Sequence, residues 1–176
     1  MITIVPYDET WPSAFQSEAK LIRAALGRLA RRVEHVGSTS IPGIAAKPVI
    51  DIQVSVPTLD PLSTYVQLLF PLGYTHILLG DFDLVYPLFQ KPATIPGTHH
   101  LHLCVEGCDL ELKHIAFRDY LRSHAEVAAE YVALKYRLAA ENHGNTLESQ
   151  EHYSLSKSDF VAEVLKEALS QGLSSS

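Results

Sequence analysis

Cysteine is scarce in this 176-residue chain. There are two, Cys104 and Cys108, where a small secreted domain stapled by disulfides would carry more. Two thiolates alone do not complete a zinc site, so the pair reads as two small side chains, buried or half-buried. No stretch reaches the ~18 apolar residues of a membrane span. The N-terminal segment Met1–Asp8 has neither a basic stretch nor a long apolar one, so the expectation is a soluble protein of the reduced cytoplasm, with no membrane as partner. Basic residues are also short: 14 against 20 acidic ones, for a net charge of −6. That balance excludes gripping a long nucleic acid through the overall field, because phosphate neutralisation needs clustered Lys and Arg. A small phosphorylated ligand in a local positive pocket stays open. The oligomeric state is unknown at this stage.

What the chain does have is an ordinary globular make-up, 47% apolar and 19% charged. Its length suits one domain spanning 1–176, ordered from about residue 3 to residue 170. Phe15, Ala19, Ile22, Leu26 and Leu29 recur at helical spacing behind Trp11-Pro12, predicting a first helix to about Leu29. Val33–Val36 reads as a short strand, and residues 37–48, with two Gly, two Pro and three hydroxyls, as a loop or single helical turn. Val49–Val56 is the strongest strand, β-branched except at Asp51, Gln53 and Ser55, which share one face. A helix near 62–70, strands at Tyr74–Leu79 and Val85–Gln90, a loop at 91–97 and a strand at His99–Val105 follow. The rest reads as helices, broken at Asn142-His143-Gly144-Asn145 and ending in one that carries Tyr153, Lys157, Phe160, Val164 and Ala168. The class is α+β, a mixed β-sheet flanked by helices with a helical C-terminal part.

Five features carry chemistry. Gly37-Ser38-Thr39 offers a close backbone approach and hydroxyls that suit a phosphate oxygen, with Lys47 ten residues on; the competing reading is a polar helix cap. Asp51 is a carboxylate inside an apolar strand, which is costly unless paired, hydrogen-bonded or metal-bound. His100 and His102 share a strand face and suit a transition metal or a phosphate, or else a hydrogen-bonded sheet edge. Arg118 and Arg122 stand one helical turn apart, able to grip a phosphate or to pair with neighbouring acids. Lys157 lies on the core-facing stripe of the last helix, either snorkelling or reaching into a cleft.

These motifs coincide with a known pattern. The run Val36–Ile52 resembles the signature of the GrpB (UPF0157) family, and three further segments match its later motifs. They are His99–Leu103, then Phe117–Arg122 with Tyr131, Ala133, Leu134 and Lys135, then Tyr153 with Lys157, Phe160 and Val161. The resemblance runs from Tyr7 to about Ala168. It implies the nucleotidyltransferase fold of the polymerase-beta-like superfamily, some family members being fused to dephospho-CoA kinase. In that superfamily Gly-Ser holds a triphosphate, while Asp-x-Asp or Asp-x-Glu and a third acid hold two Mg²⁺ ions. Gly37-Ser38 and Asp51 fit this pattern. The second acid position is Gln53, and no acid stands on the strand of His100 and His102. One carboxylate with two imidazoles suits a single softer ion, Mn²⁺ or Zn²⁺, or no metal, better than a pair of Mg²⁺ ions.

The resemblance thus implies transfer of a nucleotidyl or phosphoryl group to a small acceptor. Asp51, His100 and His102 would be the catalytic or metal-holding groups, and Gly37, Ser38, Thr39, Lys47, Arg118, Lys135 and Lys157 would hold phosphate. A second reading keeps the nucleotide or phosphometabolite and drops turnover: a binding module that has lost its metal acids. A third, a scaffold, requires these residues to point to different places.

Overall fold

Alternation builds the centre of the molecule. The structure is a computed structural model that describes residues 3–93, 97–141, 152–153 and 155–172. Strands β1 (Arg32–Val36), β2 (Ile50–Val56), β3 (Thr75–Ile77), β4 (Leu88–Lys91) and β5 (His99–Val105) form one sheet in the order β1-β2-β5-β4-β3. Only β2 and β5 run parallel; the other pairs are antiparallel. The register sets Asp51 beside His100 and Gln53 beside His102, with Glu34 across from Gln53 and Gln90 across from His100. A period of two then sorts the side chains. Ile50, Ile52, Val54, Val56, Phe89, Leu101 and Leu103 take one face, and Glu34, Asp51, Gln53, Ser55, Gln90, His100 and His102 the other.

The apolar face is covered by α1 (Trp11–Leu26) and α2 (Leu62–Leu69), which contribute Trp11, Phe15, Ala19, Ile22, Leu26, Tyr65 and Leu69 to one core cluster. Ile52, Val54, Leu101 and Leu103 are fully buried there, each aliphatic side chain contributing about 1.5–3 kcal/mol. The polar face is crossed by α3 (Asp109–Ser123), with α4 (Ala125–Glu141) and α5 (Ser158–Ser170) behind it. A second cluster forms among Ala116, Tyr120, Leu121, Ala128, Tyr131, Val164 and Ala168, and Ile41 and Ile44 of the 37–48 loop insert into it. That insertion fixes the loop over the sheet edge. No helix among the described residues is long and apolar enough to cross a membrane.

The sheet and helices are those the periodicity predicts, with adjustments. The first helix stops at Leu26, where Gly27 takes φ +52, and a 3-10 turn carries on to Leu29. The two middle strands are shorter than expected. Residues Gly80–Leu84 form a 3-10 turn held by Asp83, which accepts from the Leu79 amide (2.9 Å) and meets His76 at 3.3 Å. Pro87 then keeps Val85 and Tyr86 out of β4, since it lacks a ladder N–H. The 37–48 loop holds a 3-10 turn at Ser38–Ser40. The last helix begins at Ser158, with Lys157 as its N-cap and Tyr153 ahead of it. The expected break at 142–145 lies outside the described residues.

Candidate active-site cleft

Asp51 sits near the start of β2, where the polar face is least covered, with its side chain 29% exposed. One carboxylate oxygen accepts from His100 Nδ1 at 3.3 Å. The other lies against the Gly37 backbone, so closely that a Cβ at position 37 would collide with Oδ2. Gly37 also has φ +68, a conformation that L side chains rarely adopt. Both facts require glycine. Burial alone would push the Asp51 carboxyl up, but the His100 hydrogen bond and the charge of Lys47 draw it below the usual range. Asp51 is therefore an anion at neutral pH.

Two lysines, Lys47 and Lys157, act electrostatically on this carboxylate, and a third, Lys135, acts on Lys157. Lys47 comes from the loop end, Lys135 from α4 and Lys157 from the start of α5. Lys157 Nζ lies over the Tyr153 ring, 4.3 Å from its centroid, and Lys135 Nζ lies 4.6 Å from the Tyr131 centroid. Lys135 also donates to Ala45 O at 2.5 Å. Neither Lys135 nor Lys157 meets a carboxylate within 4 Å among the described residues. Burial pushes Lys135 down to about 7, with the like charge of Lys157 adding to the effect. Burial likewise brings Lys157 to about 8 against the opposing pull of Asp51, and lowers Lys47. Tyr131, buried on α4, has its phenol pushed up by burial, with Ser38 opposing the shift. Asp51 thus meets His100 and the Gly37 backbone, with Lys47 and Lys157 acting on it electrostatically and Lys135 acting on Lys157.

Other expected site residues have different work. The Thr39 hydroxyl is buried, donating to Val49 O (3.0 Å) and accepting from His35 Nε2 (3.0 Å). Arg118 Nη1 donates to Glu34 Oε2 (2.7 Å) and His35 O (3.0 Å), and its Nε donates to Asp119 (2.7 Å). That guanidinium ties α3 to β1. Arg122 donates to Ser40 O at 2.7 Å, so it holds the loop from behind. His102 stacks on Tyr86, ring centroids 4.6 Å apart, and burial pushes it down to about 3, leaving it neutral. Its Nδ1 has no hydrogen-bond partner.

Sequence reasoning missed three members of this neighbourhood. The Tyr86 hydroxyl donates to Gln53 Oε1 at 2.7 Å. His114 Nδ1 donates to Leu110 O at 2.7 Å, and its ring stacks on Tyr86. Tyr131 reads as a plain core position on a helical stripe. Nothing local marks these residues, because their partners come from other elements.

The two-Mg²⁺ site of the superfamily does not fit these residues. Gln53, at the second acid position, is fully buried; its amide donates to Glu111 O (3.3 Å) and its oxygen accepts from Tyr86. Among the described residues no three His, Cys, Asp or Glu side chains converge to hold a metal ion. Asp51, His100 and His102 therefore do not assemble the expected triad, since only Asp51 and His100 touch. A groove of about 860 Å³ is lined mainly by apolar residues such as Ile41, Ile44, Ala128 and Val132, and by Ala45, whose carbonyl accepts from Lys135.

The family described as GrpB protein matches residues 1–167. The chain belongs to the GrpB family. A UPF0157 protein of Halalkalibacterium halodurans is 37% identical over 95% of this chain and 82% of its own length. The glutamate-rich protein GrpB of Alkalihalophilus pseudofirmus is 34% identical over 94% and 95%. A dephospho-CoA kinase of Mycobacterium bovis is 38% identical over 75% of this chain, which spans 38% of that longer protein. Among solved structures, the conserved protein GrpB from Enterococcus faecalis superposes with a TM-score of 0.82 at 32% identity, covering 97% and 99% of the two chains. The Cid1 poly(U) polymerase, in its MgGTP-bound structure, superposes at 0.52 with 14% identity over 79% of this chain and 45% of that one. The GrpB fold is thus the nucleotidyltransferase-like fold, a five-stranded mixed sheet flanked by helices.

Proposed function

We propose that the cleft binds a nucleotide or a small phosphorylated metabolite, with Lys47, Lys135 and Lys157 meeting the phosphate and Gly37-Ser38 offering backbone and hydroxyl beside it. The observation that carries this reading is the set of lysines drawn from three elements, Lys135 buried and Lys47 and Lys157 half-buried. Two of them lack any carboxylate partner among the described residues. Buried cations are costly unless paired, and a phosphate is the counter-ion that several ammoniums and a hydroxyl satisfy at once.

A second reading adds turnover, transfer of a nucleotidyl or phosphoryl group to a small acceptor. It is favoured by the Asp51–His100 pair, whose side chains remain 29% and 16% exposed at the edge of the lysine cluster. A carboxylate that orients an imidazole prepares its other nitrogen to accept a proton.

Thermal-shift measurement against nucleoside triphosphates and sugar phosphates tests the binding reading, since a ligand of the native state raises its melting point by mass action. Wild type should shift, and Lys157→Ala should lose the shift while keeping a cooperative melt. A panel that moves neither protein defeats the proposal. Phosphorus NMR of the shifting ligand with the protein separates the readings: new resonances favour transfer, and an unchanged spectrum favours a binding module.

A further inference from the structure

The Cid1 poly(U) polymerase, which shares this fold, has been solved with MgGTP and with MgATP bound. The residues here argue for a different ligand state. A divalent cation brought to Asp51 would find one carboxylate, already accepting from His100. The neighbouring position on the same strand is an amide with both ends engaged. The cation would also enter the field of lysine ammoniums, since Lys47 and Lys157 both act electrostatically on Asp51. Like charges in a partly desolvated site repel strongly. The same arrangement is favourable for an anion with no metal attached, because Lys47 of the loop and Lys157 at the start of α5 both act on the one carboxylate, with Lys135 of α4 acting on Lys157.

We infer that this cleft takes its phosphorylated ligand as the metal-free anion, with Lys47, Lys135 and Lys157 standing where a divalent cation would otherwise bridge protein and phosphate. The inference rests on the phosphate-binding reading above and deepens it. It also gives Asp51 an unusual sign of effect. In a metal-bridged site, Asp51 holds the ligand through the ion, and neutralising it destroys binding. In a metal-free site, Asp51 is an anion facing an anion, and neutralising it removes a repulsion.

Isothermal titration of ATP into wild-type protein, with excess EDTA and then with MgCl₂, tests this, with inorganic pyrophosphate as a base-free probe. The expected result is binding in EDTA that Mg²⁺ leaves unchanged or weakens, since Mg²⁺ masks the phosphate charge. Asp51→Asn, nearly isosteric with the native residue, should bind ATP in EDTA as tightly as wild type or several-fold tighter. Lys157→Met should bind at least tenfold more weakly under the same conditions, and its melting curve reports whether it is folded. Binding that appears only with Mg²⁺, or that Asp51→Asn abolishes, overturns the inference and leaves the phosphate-binding reading intact. Absence of heat from both probes, with and without Mg²⁺, overturns both.

Discussion

Asp51 and Glu111 are two carboxylates at opposite ends of one polar sheet face, and their surroundings differ in kind. Glu111 is fully buried. One of its oxygens accepts from the Ser55 hydroxyl and meets Arg32 at 3.5 Å, and the other accepts from the Gly107 amide at 2.5 Å. It clamps the start of α3 to the end of β2. Asp51 keeps part of its surface open, touches one imidazole and a glycine backbone, and lies in the field of Lys47 and Lys157. The first carboxylate is closed off by hydrogen bonds within the fold, and the second stays partly exposed. A buried acid against a sheet is thus no signal of function by itself; what separates the two is how much of each carboxylate stays open.

The sharpest way to break this contrast is Glu111→Ala. It leaves the Ser55 hydroxyl and the Gly107 amide unsatisfied, at about 1–3 kcal/mol each, so urea unfolding should show a loss of about 2–6 kcal/mol. Asp51→Asn should change stability by less than about 1 kcal/mol, and equal losses at the two sites would erase the distinction. Gly37→Ala should come next. It forces an L side chain to φ +68 and displaces Asp51, and the strain amounts to about 1–2 kcal/mol. Chemical-shift changes of the His100 ring should report the displaced carboxylate.

The smallest effect is pH dependence at the open end. Lys157 and Lys135 stay neutral in the folded protein above about 8 and 7, respectively. Anion affinity should fall at least about tenfold from pH 7 to pH 9 as Lys157 loses its charge. The ligand-free protein should behave oppositely. Over that window the unfolded chain binds more protons than the folded one, because its lysines titrate at their ordinary value, so stability rises with pH. Calorimetry of binding and of unfolding across pH 7–9 checks both signs.

Much of the sheet was legible in advance. Ile50–Val56 and His99–Val105 alternate so regularly that Asp51, Gln53, His100 and His102 fall on one face without any structure, and Gly37-Ser38 and Asp51 follow the family signature. What could not be read was pairing across long sequence separations. Ser55 meets Glu111 56 positions away, and Lys135 meets Ala45 90 positions away. Gln53 reads as a vacant acid position; only the Tyr86 hydroxyl and Glu111 O show it to be occupied. Arg118 reads as a phosphate grip, and Glu34, on a strand 84 positions earlier, claims it instead. Helical periodicity says which side of a helix is inside, and it does not say what waits there.

The loop that carries Ser38 is laced down by cationic side chains on its own carbonyls, Arg122 on Ser40 O and Lys135 on Ala45 O, and by Ile41 and Ile44 inserted between helices. A phosphorylated ligand meeting Ser38 would therefore find that loop already in place. If no other segment rearranges, its association would be one collision-limited step, with an observed rate that climbs in proportion to ligand concentration and without the plateau that a slow rearrangement imposes, and discrimination among ligands would fall to how long each one stays.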